Sequence, residues 1–229
     1  LVENYELDGI NLDYIRFPEE YRGSFGYDQL SVQKFKEKYE LDPFQIKSGS
    51  SEFSLWNQYR ENLVTEMVKE TTEKLRRIDP ALLISADVIP GRDEARYRAL
   101  QNWSYWLREG YLDFVLPMTY TENLFSELSS WIEEDRSQIS APLYAGVSVF
   151  KLTPDQMINQ IEELNQINPN GLSLFAAAHL TESDFKTLAQ GVFSTPVLLP
   201  HRNKKESLNL MQDFILKRLT IIKEAEAIS

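Results

Sequence analysis

Apolar and polar positions alternate with two different periods along this chain. Near its start, Asp8-Gly9-Ile10-Asn11-Leu12-Asp13-Tyr14-Ile15-Arg16-Phe17-Pro18 puts Ile10 and Leu12 on one face and Asn11 and Asp13 on the other. That is the two-residue period of a strand. A polar, aromatic-rich loop over 19–28 follows. Val32, Phe35 and Tyr39 then recur at helical spacing until Leu41-Asp42-Pro43 stops them. A long helix carries Trp56, Tyr59, Leu63, Met67, Leu75 and Ile78 on one stripe and ends at Asp79-Pro80. Leu82-Leu83-Ile84-Ser85-Ala86-Asp87-Val88 reads as a second strand. Residues 101–109 read as a helix, with Gly110 as its C-terminal cap.

The alternation of elements then repeats. Asp113-Phe114-Val115-Leu116-Pro117-Met118-Thr119-Tyr120 is a third strand, with a helix around Trp131 behind it, and 143–149 is a fourth. Thr153-Pro154-Asp155-Gln156 combines a capping box with proline at the first helical position, so a helix opens there. Asn168-Pro169-Asn170-Gly171 is a turn, 172–176 a fifth strand, and Thr181 opens a short helix. The remainder is irregular over 192–204 and then amphipathic to the end.

Apolar strands that alternate with helices predict a parallel sheet covered by helices. A doubly wound sheet and a (β/α)8 TIM-type barrel both fit. No glycine-rich phosphate loop follows any strand, and several strands end in polar residues, which favours the barrel. A full barrel has eight units in about 250 residues. Five units therefore predict that the first three strands lie outside this chain. The expected domains are the carboxyl-terminal part of a barrel over 1–191, then an irregular segment and a terminal helix over 192–229 that packs on the barrel.

Composition narrows the chemistry. At 229 residues and 42% hydrophobic the chain can bury a core of its own. A net charge of −11 argues against a nucleic-acid partner, whose phosphates require a basic face. The absence of cysteine excludes thiol nucleophiles and disulfides, and two histidines, His179 and His201, make no metal cluster. No metal or cofactor is expected. No apolar run reaches the roughly 18 residues of a membrane span. The chain does not begin with Met, so processing or truncation upstream is expected.

Carboxylates at the carboxyl ends of buried strands are costly unless paired or used. Asp13 and Asp87 end neighbouring strands, and Glu122 follows the third. Glycoside hydrolysis needs two such groups across one bond, and mutual repulsion would raise the pKa of one of them. Asp13 leads as catalytic residue, then Asp87, then Glu122 as an alternative proton donor. Asn11, Tyr14, Arg16, Trp103 and Tyr120 are the candidate substrate contacts. Each has a structural alternative. Asp13 can pair with Arg16, Asp87 can accept from loop amides, and Trp103 and Trp106 stand at helical spacing suited to a core. His179, just past a strand, reads as structural.

The Asp8–Pro18 segment resembles the signature of the glycosyl-hydrolase-like family 10 proteins, bacterial (β/α)8 enzymes. Trp56 with Tyr59-Arg60, Asn102-Trp103 through Trp106-Leu107, Gly110-Tyr111-Leu112-Asp113, Leu116-Pro117-Met118-Thr119-Tyr120 and Gly171-Leu172-Ser173-Leu174-Phe175 are similar too. The resemblance covers residues 1 to about 190 and implies barrel strands four to eight. It also implies O-glycosyl hydrolysis of a bacterial polysaccharide, cell-envelope glycan such as peptidoglycan strands, in an extracytoplasmic setting. Relatives commonly carry Asp where this chain has Asn102. The first strand is also similar to Asp-Gly-x-Asp-x-Asp-x-Glu of the chitinase-like glycoside hydrolase family 18. Here, however, Ile15 stands at the proton-donor position, and isoleucine cannot donate. The alternative from another class is a carbohydrate-binding barrel without catalysis.

Overall fold

The structure is a computed structural model that describes residues 2–19, 25–121, 125–167, 169–195 and 197, with scattered positions between 208 and 223. It is a mixed α/β fold with parallel strands. The strands are β1 (Gly9–Leu12), β2 (Leu83–Val88), β3 (Phe114–Pro117), β4 (Tyr144–Ser148) and β5 (Gly171–Phe175). The helices are α1 (Gln29–Tyr39), α2 (Ser51–Ile78), α3 (Arg92–Ala99), α4 (Trp103–Arg108), α5 (Phe125–Gln138), α6 (Pro154–Ile167) and α7 (Glu182–Gln190). β1, β2 and β3 pair in sequence order, as do β4 and β5. A parallel bridge between Val115 and Leu143 links the two sets. The chain divides into two compact units, Leu1–Phe185 and Lys186–Ser229. Much of the second, including most of the expected terminal helix, lies outside the described residues.

Local signals set the helix starts. Asp28 and Ser50 accept the Ser31 and Phe53 amides at 3.0 and 3.2 Å, capping α1 and α2. The box at Thr153 closes as its spacing predicts: Gln156 Oε1 accepts the Thr153 amide at 2.9 Å and Thr153 Oγ1 accepts the Gln156 amide at 3.3 Å. The sequence periodicity missed α3, whose eight residues contain three arginines, two acids and a tyrosine but no aliphatic stripe. Its start depends on a distant partner. Gly91, at φ +72°, and Arg92 donate their amides to the Asp135 carboxylate of α5, both at 3.0 Å.

Register sorts the strands into two faces. Asn11 lies beside Ser85, Ser85 beside Phe114, and Asp87 beside Leu116. Ile84, Ala86 and Val88 therefore face the helices, and they pack with Val64, Val68, Trp103, Trp106 and Val115 in the main core. The stripe of α2 that the core uses is Trp56, Arg60, Val64, Val68 and Thr72, at steady i+4 spacing. Met67 and Ile78, expected on the buried stripe, are 61% and 48% exposed. Aliphatic identity alone drew the stripe about one position off. A second cluster joins Phe35 of α1 to Trp56 and Tyr59 of α2, with Trp56 and Tyr59 stacked at 5.5 Å.

Asp135 gives a stability prediction. Burial pushes its carboxyl up from 3.8 to about 6, against the pull of the Arg92 and Gly91 amides. The folded state therefore holds a proton between about pH 4 and pH 6 that the unfolded state has released. Stability contributed by this group is greatest below that window and falls as pH rises through it. In Asp135→Asn this group's share of the slope over the window should vanish, and at neutral pH the variant should lose about 1–2 kcal/mol because one amide lacks a good acceptor. Denaturant unfolding at a series of pH values reads both effects.

Candidate functional site

The polar face of β1 and β2 carries Asn11, Ser85 and Asp87. Ser85 Oγ donates to Asn11 Oδ1 at 2.8 Å, which orients the Asn11 amide so that its Nδ2 donates to Asp87 Oδ2, also at 2.8 Å. Asn11 thus holds Asp87. The expectation had been a substrate contact, and part of its hydrogen-bonding capacity is already taken. Desolvation raises the Asp87 pKa above the usual carboxylate value; the Asn11 hydrogen bond lowers it, the Asp13 charge raises it further, and Arg16 opposes. The fold brings Asp13, Asp87 and Arg16 close enough to influence one another.

Asp13 reaches that neighbourhood by a different route from the one its sequence spacing suggests. β1 ends at Leu12, so strand alternation stops before Asp13. Tyr14 then adopts a left-handed conformation, φ 55°, and its amide donates to Asp13 Oδ1 at 2.8 Å. Asp13 is exposed, and no ion pair joins it to Arg16 among the described residues. Tyr14 is 74% exposed, with the Arg16 guanidinium 4.6 Å from its ring centre. Arg16 Nη1 is buried with no hydrogen-bond partner.

Tyr120 closes the other side. Burial, with the charges of Asp87 and Asp13 adding to it, pushes its phenol up to about 12, so it stays a neutral donor at any physiological pH. Gly146 makes room for it: a Cβ there would lie 3.1 Å from the Tyr120 ring and 2.8 Å from the Pro117 carbonyl. Tyr120 stacks on Phe175 at 5.7 Å, and Phe150 meets both rings edge-on at 6.0 and 6.1 Å. Phe150 and Phe175 are half-exposed, and neither was singled out from sequence. Their signal was position, at the ends of β4 and β5. His179 is exposed and packs on Phe150 at 5.8 Å. A cavity of about 860 Å³ beside these rings is lined in part by Arg16, Tyr120, Trp131, Glu134 and Lys151.

One candidate is turned away from the group. Trp103 is fully buried and its Nε1 donates to the Ile89 carbonyl at 3.1 Å, so neither face of the indole can reach a ligand. The expectation of a substrate contact is corrected by its place at the start of α4, where the ring turns into the core. Glu122 lies outside the described residues. Among the described residues no group of acids or histidines could hold a metal ion, and no described helix is long and apolar enough to cross a membrane.

Asn102 has a defined task. Its Nδ2 donates to Glu61 Oε1 at 2.6 Å, and Arg96 holds the same carboxylate from the other side at 3.0 and 3.3 Å. Glu61 is buried. Asn102→Asp would set two carboxylates face to face, so one must take up a proton or the pair must separate. A loss of about 2–3 kcal/mol is expected at neutral pH, shrinking as pH falls toward 4, in thermal or denaturant unfolding.

Among solved structures the chain is similar to bee venom hyaluronidase, with 11% identity, a TM-score of 0.46, and coverage of 79% of this chain and 68% of that one. At that distance the likeness says nothing about activity. A comparison with curated proteins gives no match. The family model for glycosyl hydrolase-like 10, in contrast, matches residues 1–162, a span that holds β1 to β4 and with them Asp13, Asp87 and Tyr120. The chain belongs to the glycosyl hydrolase-like 10 family.

Proposed function

We propose that this protein is a glycoside hydrolase that cleaves O-glycosidic bonds of a bacterial polysaccharide, cell-envelope glycan in an extracytoplasmic setting. The reading rests on one observation above the others: Asp87, with a raised pKa, is held by Asn11 within the electrostatic reach of Asp13. A carboxyl whose pKa is raised, set near a second carboxylate, is the arrangement acid/base glycoside cleavage uses. Asp87 is then the proton donor and Asp13 the nucleophile or base, with Glu122 as the alternative donor. Tyr120, Phe150 and Phe175 offer ring faces to a sugar. Arg16, which lines the same cavity as Tyr120 and packs on the Tyr14 ring, is suited to a hydroxyl or an acidic substituent.

The sequential parallel strands are read as strands four to eight of a (β/α)8 barrel, whose first three strands would come from elsewhere in a longer parent chain. No cofactor enters this chemistry. The test is release of reducing ends from purified peptidoglycan glycan strands by the parent protein and by its Asp13→Asn variant. Turnover by the parent, lost in the variant at unchanged stability, supports a hydrolase. Glycan binding by the parent with no cleavage of any glycan in a broad panel moves the protein to the carbohydrate-binding class. Full activity in Asp13→Asn removes Asp13 from the mechanism.

A further inference from the structure

We propose that Gln101 is the positioning residue of this site, a buried amide that fixes the exit of β1 to the exit of β2 and with them the two carboxylates those exits carry. The inference rests on the reading of Asp13 and Asp87 as the working acids. Gln101 is fully buried. Its Oε1 accepts the Ile89 amide at 2.9 Å, while its Nε2 is shared between the Asp87 carbonyl at 3.3 Å and the Ile15 carbonyl at 3.4 Å. All three partners are backbone groups within two residues of Asp13 or Asp87.

The need for such a residue follows from the strand ends. β1 stops at Leu12, so the carbonyl of Asp87 on β2 has no β1 residue to pair with. Ile15 and Ile89 lie just beyond their strands and have none either. Buried backbone groups left in that state cost about 1–3 kcal/mol each. One side-chain amide, with an acceptor and two donor hydrogens, serves all three. A leucine would fill the same space but would leave the two exits free to move apart.

The chain presents Gln101 through a dedicated device. Leu100 ends α3 in the left-handed conformation, φ 53°, and the Gln101 amide returns to the Ala95 carbonyl at 3.1 Å. This backbone closure over the left-handed residue fixes the direction in which the next side chain leaves the helix. The same helix end also takes the Phe17 amide, which donates to the Ala99 carbonyl at 3.1 Å, so the β1 exit is tied at two points. The groups whose charges act on Asp87 are Asp13 and Arg16, and Asn11 bonds it directly. Gln101 hydrogen-bonds to none of these side chains and acts through backbone position.

The experiment uses the full chain and three substitutions: Gln101→Met, Gln101→Asn, and Val68→Ala as a core control that removes none of the site's hydrogen bonds. The Asp87 carboxyl is titrated by NMR, exchange of the Ile89 amide is followed, and kcat and KM are measured on glycan strands. In Gln101→Met, Ile89 exchange is expected to rise at least tenfold and the Asp87 titration midpoint to move. A loss of about a hundredfold is expected in kcat with KM nearly constant, the effect of misplacing reacting groups by about an ångström. Gln101→Asn, an amide one methylene too short to reach all three partners, shows the same directions and serves if the Met variant does not fold. Val68→Ala lowers stability without moving the Asp87 midpoint. An unchanged Asp87 midpoint and Ile89 exchange rate in both Gln101 variants overturn the proposal. If these move while the parent cleaves no glycan, Gln101 still positions the pair, and it is the hydrolase reading that fails.

Discussion

Asp87→Asn is expected to lower glycan turnover by about 10²–10⁴-fold, the range supplied by a general acid, without loss of the fold. The substitution is close to isosteric, and the new side-chain carbonyl can take the Asn11 Nδ2 donor that now serves Asp87 Oδ2. Desolvation already raises the Asp87 pKa, so the folded state disfavours its charge. The sign for stability follows from that direction. Between the ordinary carboxylate pKa and the raised one, the folded state binds more protons than the unfolded state, and stability falls as pH rises through the window. A neutral amide in place of the carboxyl removes this loss, so the variant should be no less stable than the parent at neutral pH and flatter in its pH dependence. Activity should follow the same titration. The parent's turnover should fall on the alkaline side as Asp87 ionises, and any residual turnover in the variant should lack that limb. Activity near the parent's level in Asp87→Asn would transfer the donor role to Glu122, tested next by Glu122→Gln.

The second large effect is on stability. Trp103→Ala is expected to cost about 3–5 kcal/mol, which is a large fraction of the roughly 5–15 kcal/mol that holds a typical domain. The indole is fully buried with Ala86, Val88 and Val115 in the main core, and it supplies the donor for the Ile89 carbonyl. Truncation leaves a cavity and an unsatisfied carbonyl together. Trp103→Phe keeps most of the apolar contact and loses the donor, so about 1–2 kcal/mol is expected. Urea unfolding measures both. If Trp103→Ala instead weakened glycan binding at unchanged stability, the indole would be a ligand contact after all. Ile89 links this result to the site, because its carbonyl is held by Trp103 and its amide by Gln101. Part of the Trp103→Ala effect should therefore reach Asp87.

The strands were legible because burial on one face and polarity on the other leave a two-residue period that needs no tertiary knowledge. Asp13, Asp87 and Tyr120 stand out in the sequence for the same reason, as polar residues where apolar runs end. Capping boxes were legible too, since Thr153 and Gln156 satisfy each other's amides locally. By itself, then, the sequence determined the order of the elements, the all-parallel pairing they favour, and the identity of the acids at the strand ends. Tertiary structure decided what those residues touch. α3 begins where Asp135, 44 residues away along the chain, accepts the Gly91 amide, and no local pattern records that partner. Trp103 is core because the start of α4 turns it inward, whereas Tyr14 is exposed because the chain leaves β1 by a left-handed turn. Asn11 serves Asp87 and Asn102 serves Glu61 only because separate elements meet there. Periodicity reports which side of one element is dry, but the environment that sets a pKa or fixes a carboxylate is built from several elements at once.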